Sequence, residues 1–149
     1  MPEYLETTVD KFTFRVAADR HYTSEGLWAL AEGDRVRVGV SDFLQQRSGD
    51  VAFAEVKPVN TPVAAGDELA VIETIKVNVV LTSPVSGKVL EVNPAMTEAP
   101  EVINQDPYGA GWLAVVEAAD WEADRARLLD PPAYFRLMQG QAEAEAKRS

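Results

Sequence analysis

Apolar and polar residues alternate along most of the chain in short runs, a pattern typical of half-buried β-strands. The predicted strands are 11–16, 27–31, 35–40, 51–56, two strands within 71–81, 88–92 and 112–116. Capping residues predict short helices after Ser41 or Asp42, after Asn93, and after Asp120 and Asp130. Many short strands followed by helices predict a mostly β fold with peripheral helices.

Residues 71–81 form the most strand-like stretch, because most of them are β-branched. A single lysine, Lys76, interrupts this stretch, and a buried ammonium group is costly. Lys76 therefore either faces outward from a strand or stands at a bend where the chain reverses. Glycine turns at Gly66 and Gly87 flank the lysine at similar distances, which favours strands running to and from a tip.

Composition narrows the range of functions. A chain of 149 residues can bury a full core as one domain. Its net charge of -10 argues against a nucleic-acid partner, and the lack of cysteine excludes disulfides and thiol chemistry. With His21 as the single histidine, no metal site and no catalytic residue is predicted. No run of membrane-helix length and no signal pattern is present, so we expect a cytoplasmic protein without a membrane partner.

The chain is predicted to contain one domain with two polar ends. Residues 1–10 are interpreted as an N-terminal extension, 11–139 as the domain, and 140–149 as a polar, alanine-rich helical tail. The glutamates of the tail are expected to face solvent.

Three ordered motifs around Lys76 resemble a lipoyl-attachment pattern. They are GDEL at 66–69, ETIK at 73–76 and SPVSG at 83–87. Further segments, HYTSE at 21–25 with Trp28, VNP at 92–94 and INQDPY at 103–108, make the chain similar to the glycine cleavage system H-protein family from about Tyr22 to Phe135. The resemblance implies a flattened lipoyl-type barrel-sandwich hybrid with short peripheral helices and C-terminal helices.

The resemblance also implies that lipoate is attached to Lys76 through an amide, as N6-lipoyllysine at a hairpin tip. Amidation removes the ammonium charge, and the dithiolane supplies sulfur that the chain itself lacks. The implied carrier needs a lipoate-protein ligase or lipoyltransferase as a partner. Recognition by that enzyme is predicted to involve the residues around the lysine: Glu73, Thr74, Ile75 and Val77.

A cleft for the attached arm is predicted from the same resemblance at Leu27, Trp28, Val80 and Tyr108. Two of these positions depart from the family pattern, which has a glutamate before the tryptophan and an aspartate four residues after the lysine. Here those positions are Leu27 and Val80. In the family, the two carboxylates help to hold a cationic aminomethyl group, a task for which opposite charge is suited.

The absence of both carboxylates favours a protein that keeps the lipoyl arm but carries a group other than the aminomethyl group. Our leading hypothesis is therefore a lipoate-binding protein that carries a sulfur intermediate between the enzymes of a heterodisulfide-reductase-like sulfur oxidation system. The alternative is a glycine cleavage H protein that carries the aminomethyl group, with glycine decarboxylase, aminomethyltransferase and dihydrolipoamide dehydrogenase as partners. A third hypothesis is an unmodified scaffold or lipoyl donor. In each case the chain is predicted to be a carrier or scaffold and not an enzyme.

Overall fold

A computed structural model describes residues 3–148 of the chain. Met1, Pro2 and Ser149, the outermost residues of the predicted extension and tail, lie outside the described residues. The strands are β1 (Tyr4–Val9), β2 (Phe12–Ala17), β3 (His21–Tyr22), β4 (Leu27–Glu32), β5 (Arg35–Val40), β6 (Val51–Val56), β7 (Pro62–Val63), β8 (Glu68–Thr74), β9 (Asn78–Thr82), β10 (Gly87–Val92) and β11 (Ala114–Ala118). The helices are α1 (Asp42–Ser48), α2 (Ala95–Glu98), α3 (Val102–Gln105), α4 (Trp121–Arg125) and α5 (Pro131–Arg148).

Two antiparallel sheets form the body of the fold. One has the order β3-β4-β5-β11-β10-β7, and the other has the order β6-β8-β9. Apolar residues of both sheets, such as Val38, Ile72 and Val116, belong to one fully buried cluster. The predicted mostly β sandwich with peripheral helices is confirmed.

The predicted helix caps are visible where a polar residue precedes a helix. Ser41 accepts a hydrogen bond from the Leu44 amide at 3.2 Å, and Asp120 accepts one from the Ala123 amide at 3.2 Å. The hydroxyl of Ser41 also lies 2.8 Å from the Tyr134 hydroxyl, in the buried space between α1 and α5. Ser41 therefore starts α1 and joins it to the C-terminal helix.

The ends of the chain are more ordered than the sequence predicted. Residues 4–9, interpreted as part of a polar extension, form β1, which pairs along its whole length with β2. The inward residues of β1 are only half-buried, which explains its weak apolar signal. The C-terminal tail continues α5 without a break to Arg148, and Ala142 is buried. The division at residues 10 and 139 stays a prediction.

A second apolar cluster holds these ends against the sandwich. It contains Phe14 of β2, Phe43 of α1, and Tyr134, Met138 and Ala142 of α5. The rings of Phe14 and Phe43 meet edge to face with centroids 5.3 Å apart. The N-terminal hairpin, α1 and α5 thus form one layer beside the sheets, next to the tip of the β8–β9 hairpin.

Candidate functional site

Lys76 stands in the exposed connection between β8 and β9. These strands pair antiparallel, with Glu73 opposite Asn78, so the chain reverses over residues 75–77. Ile75 and Val77 on either side of the lysine are 79% and 48% exposed. The structure thus has Lys76 at a hairpin tip, one of the two placements that the strand pattern left open.

The side chain of Thr74 closes this turn. Its hydroxyl accepts hydrogen bonds from the amides of Lys76, at 3.2 Å, and Val77, at 3.0 Å. The same hydroxyl donates to the carbonyl of Val77 at 3.0 Å, and the Thr74 amide donates to that carbonyl at 2.8 Å. A threonine hydroxyl therefore takes the role that an Asn-Gly pair has in many tight turns.

The Lys76 side chain lies against the end of α1. A Cβ atom added to Gly49 would come within 2.8 Å of Lys76 Cε, so the lysine stem passes directly over this glycine. Gly49 ends α1 with φ +92° and ψ -169°, a conformation that residues other than glycine rarely adopt. The glycine thus leaves room for the lysine in a backbone shape that only glycine adopts easily.

Asn104 of α3 fixes the turn beneath the lysine. Its amide group donates to the Gly49 carbonyl and to the Gln45 side chain, both at 3.0 Å, and its oxygen accepts from the Val51 amide at 2.9 Å. The amide of Ile75 in the hairpin tip also donates to the Asp50 carbonyl, at 3.4 Å. Residues 49–51 are therefore held from both sides.

Lys76 also lies at the edge of a pocket of about 350 Å³. The pocket is bounded by the N-terminal hairpin, by α1 and by the end of α5. Phe12, which is 55% exposed, Phe14 and Phe43 provide much of its apolar wall. An ion pair between Arg47 and Glu145, with Nε and Oε1 2.7 Å apart, stands at its polar side.

Two of the residues predicted to line an arm cleft, Leu27 and Trp28, are buried in the structure. Leu27 is 1% exposed and packs in the core between the sheets, and Trp28 is fully buried. The indole of Trp28 donates to the carbonyls of Val40 and Pro107, at 2.9 and 3.0 Å. Neither side chain is open to solvent in this structure, and the assignment of Leu27 and Trp28 to an arm cleft stays a prediction. Val80 is 55% exposed on β9.

Tyr108 serves as a link between elements. Its hydroxyl donates to the Arg15 carbonyl at 2.7 Å and accepts from the Asp42 amide at 3.3 Å. Burial raises the pKa of the Tyr108 phenol, and burial also raises the pKa of Tyr134 to about 12. Both phenols stay protonated and act as structural hydrogen-bonding groups near neutral pH.

Two classes of site are missing from the described part of the chain. Residues 3–148 contain no group of three or more histidine, cysteine, aspartate or glutamate side chains arranged to hold a metal ion. Within the same residues, no helix has both the length and the apolar character that crossing a bilayer requires.

The sequence did not identify the neighbours of Lys76. Gly49, Asn104 and Phe12 come from segments far apart in the chain, and no local motif links them to the lysine. Only Gly49 carried a signal, as the predicted end of α1, and that signal concerned the helix and not the site.

Comparison with known proteins identifies the family. The family model described as "Glycine cleavage H-protein" matches residues 20–141. The glycine cleavage system H protein of Anaeromyxobacter sp. (strain K) is 40% identical over 126 residues, which cover 85% of this chain and 98% of that protein. A glycine cleavage system H protein of Thermus thermophilus is 39% identical over 127 residues, with coverage of 85% and 98%.

A solved structure supports the same assignment. The crystal structure of a glycine cleavage system H protein from Mycobacterium marinum superposes with a TM-score of 0.72 at 34% identity, covering 80% of this chain and 95% of that chain. Sequence and fold therefore agree over nearly the whole domain. The chain belongs to the glycine cleavage H-protein family, whose members are lipoyl carrier proteins and not catalysts themselves.

Proposed function

We propose that this protein is a lipoyl carrier in which lipoate forms an amide with Nζ of Lys76. The observation that carries the proposal is the position of Lys76, in an exposed hairpin tip that the Thr74 hydroxyl holds in shape. A modifying enzyme must reach a lysine and its neighbours, and Glu73, Ile75 and Val77 are exposed around it. Thr74 contributes by fixing the turn.

The surroundings of Lys76 suit the modified side chain. Unmodified Lys76 lies at a pocket in which Arg47 is ion-paired with Glu145, and the phenylalanine wall of the pocket offers an apolar surface to an uncharged group. Amidation would remove the lysine charge, and the acyl chain and dithiolane are largely apolar. When bound, the lipoyl group would supply a redox-active disulfide and a carrier thiol; the protein supplies attachment and presentation.

Intact-mass measurement after coexpression with a lipoate-protein ligase, with lipoate in the medium, tests the attachment. We expect one lipoyl adduct on the wild-type chain and none on Lys76→Arg. Lys88→Arg, at an exposed lysine on β10, is the matched control and should be modified like the wild type. An unmodified wild-type chain would contradict the proposal and favour the unmodified scaffold instead. An adduct on Lys76→Arg would place the site elsewhere.

For the cargo, we propose the aminomethyl group of glycine cleavage as the first candidate. The support is the similarity to proteins named glycine cleavage system H protein over 98% of their length. Glycine decarboxylase and aminomethyltransferase would then be the partners, with dihydrolipoamide dehydrogenase reoxidising the arm. The proposed location is the cytoplasm, where these soluble exchanges would occur.

A sulfur intermediate is the second candidate, and the residues at positions 27 and 80 favour it. Neither Leu27 nor Val80 can offer a charge or an acceptor to a protonated amine. A sulfur atom carried on the dithiol does not require either. Under this candidate, the arm would exchange with heterodisulfide-reductase-like sulfur oxidation enzymes.

One assay separates the two cargoes. The oxidised lipoyl protein is incubated with glycine decarboxylase and glycine, and the methylamine adduct is measured by mass. Loading at the rate of an authentic glycine cleavage H protein would eliminate the sulfur candidate, whereas a failure to load would eliminate the aminomethyl one. Val80→Asp, at an exposed position, returns one carboxylate and should increase loading only if the missing acid limits it.

A further inference from the structure

We infer that the outer face of the β6-β8-β9 sheet is the docking surface for the enzyme that attaches the acyl group to Lys76. The enzyme surface that fits it has an apolar centre bordered by lysine or arginine side chains. The inference rests on the proposed lipoylation of Lys76 and extends recognition to a strand outside the lysine hairpin. We name this surface the hairpin face; its residues are Phe53, Glu55, Val71, Glu73, Asn78 and Val80.

Strand register determines which side chains share the hairpin face. Phe53 of β6 is opposite Glu73 of β8. Glu55 is opposite Val71, which in turn is opposite Val80 of β9. Because side chains alternate between the two sides of a sheet, these five side chains lie on one side. The residues between them on β6 and β8 belong to the buried core, so the hairpin face is the side that points away from the sandwich.

The hairpin face exposes large apolar side chains. The ring of Phe53 is 68% exposed, Val80 is more than half exposed, and Ile75 and Val77 continue the apolar surface at the tip. These four are half of the eight large apolar residues that are exposed in the part of the chain that the structure describes. Neighbouring exposed apolar side chains mark interaction sites on soluble proteins. The concentration around Lys76 therefore indicates a protein-binding surface at the lysine hairpin.

Charge selects the kind of partner. Glu55 and Glu73 are exposed on the hairpin face, and neither forms an ion pair within residues 3–148. Lys57, the cation that follows β6, is paired with Glu68, with Nζ and Oε2 3.2 Å apart. Basic groups around an apolar centre would complement this arrangement. A second copy of the chain fits poorly, because two hairpin faces in contact would bring like-charged carboxylates together.

Position relative to Lys76 identifies the enzyme. An enzyme that acylates Nζ must contact the protein within the length of one lysine side chain, whereas an enzyme that acts on the far end of a lipoyl group can remain more distant. The tip at residues 75–77 is too small to dock alone, because stable interfaces take about 800 Å² from each partner. Both strands of the lysine hairpin belong to the hairpin face, and the Lys76 stem lies over Gly49, two residues before β6 begins. The hairpin face is therefore continuous with the modified side chain.

Steady-state lipoylation tests the docking. The unmodified chain is incubated with a lipoate-protein ligase, ATP and lipoate, and initial rates are measured by intact mass at several carrier concentrations. Phe53→Ser should raise the KM for the carrier about tenfold, which corresponds to about 1.4 kcal/mol of binding, and leave kcat unchanged. Val80→Ser should change KM in the same direction. The matched control is Val59→Ser, at an exposed valine in the loop after β6, and its KM should equal that of the wild type.

Reversal of one charge tests the electrostatic part separately. Glu55→Lys should raise KM and make it less sensitive to added salt, because salt screens attraction between exposed charges. Glu91→Lys, at an exposed glutamate on β10 outside the hairpin face, is the matched control and should behave like the wild type. Circular dichroism and thermal unfolding show that each variant is folded before the rates are compared.

The outcomes separate this inference from the proposed function. A wild-type chain without a lipoyl adduct refutes the proposed function and this inference with it. If the wild type is modified, a higher KM in Phe53→Ser and Glu55→Lys, with both controls unchanged, supports docking. Equal KM values in all variants, an equal rise in the controls, or a change in kcat alone overturn the docking surface while leaving the lipoyl carrier intact. A wild-type dimer that Phe53→Ser dissociates in sedimentation would assign the hairpin face to a second copy and overturn it as well.

Discussion

Replacing Gly49 with alanine separates backbone strain from contact with the functional lysine. Gly49 has φ +92° and ψ -169°, in a region where residues other than glycine lose about 1 to 3 kcal/mol. The new methyl group would also lie 2.8 Å from Lys76 Cε. Since the lysine end is flexible, the stem can move away at little cost. We therefore expect Gly49→Ala to destabilise the fold by about 2 kcal/mol, almost all of it from the backbone.

The matched control is Gly66→Ala. Gly66 has φ +94°, and an added Cβ atom would meet nothing within 4 Å. Both variants should unfold at lower denaturant concentration, and a loss of about 2 kcal/mol corresponds to a melting point lowered by about 6 °C in a domain of this size. Only Gly49→Ala should shift the NMR signals of the Lys76 side chain, because only that methyl group displaces the stem.

A double-mutant cycle tests whether backbone strain or contact with Lys76 causes the loss of stability in Gly49→Ala. In the Lys76→Ala background the collision is absent but the backbone conformation is unchanged, so Gly49→Ala should still destabilise by about 2 kcal/mol. If the loss disappears in that background, the collision and not the backbone is responsible. If Gly49→Ala costs nothing in either background, residue 49 does not hold the strained conformation described above.

Three further predictions concern the rest of the fold. Burial, followed by the charge of Arg125, lowers the pKa of His21 below its ordinary value of 6.5. The contribution of His21 to stability is therefore complete above pH 6.5 and is lost as the pH falls through the lowered pKa. A pKa of 6.5 or higher for His21, measured by NMR titration, would contradict this prediction. Asn104→Ala should cost about 2 to 3 kcal/mol in denaturant unfolding by leaving the groups around Gly49 without partners, whereas a loss under 1 kcal/mol would refute the clamp. Leu27→Glu should unfold the protein or cost more than about 3 kcal/mol, while Val80→Asp should stay within about 0.5 kcal/mol of the wild type in the same assay.

The sequence predicted those parts of the fold that depend on local pattern. Alternating strands, the cap at Ser41 and the hairpin around Lys76 are all encoded within short segments. The sequence predicted a chain reversal at Lys76 but offered no turn residues to explain it, because no Asn-Gly pair is present there. The Thr74 hydroxyl supplies the missing explanation, and a threonine directly before a turn was the available signal.

The ends of the chain could not be predicted in the same way. The half-buried side of β1 presents Leu5, Thr7 and Val9, and it becomes a strand by pairing with β2. The last turns of α5 bury only Ala142, whose methyl group gives a weak apolar signal. Because the pocket beside Lys76 lies between these two segments, the sequence did not reveal which residues line it. Packing between segments that are far apart in the sequence determines the structure of β1 and of the last turns of α5.

Because Leu27 is buried, the absence of a carboxylate at position 27 is weaker evidence about the carried group than its absence at position 80. From sequence, positions 27 and 80 carry equal weight against an aminomethyl group. In the structure, Leu27 is 1% exposed within the core between the sheets, so its apolar side chain has a packing reason that is independent of any cargo. Val80 has no such packing reason, because it is 55% exposed on β9, one of the two strands of the lysine hairpin. A carboxylate at position 80 would be readily hydrated, so burial does not account for the valine at that position. The sulfur candidate thus rests on Val80, and Val80→Asp is the substitution that decides whether a single restored acid returns the chemistry of glycine cleavage.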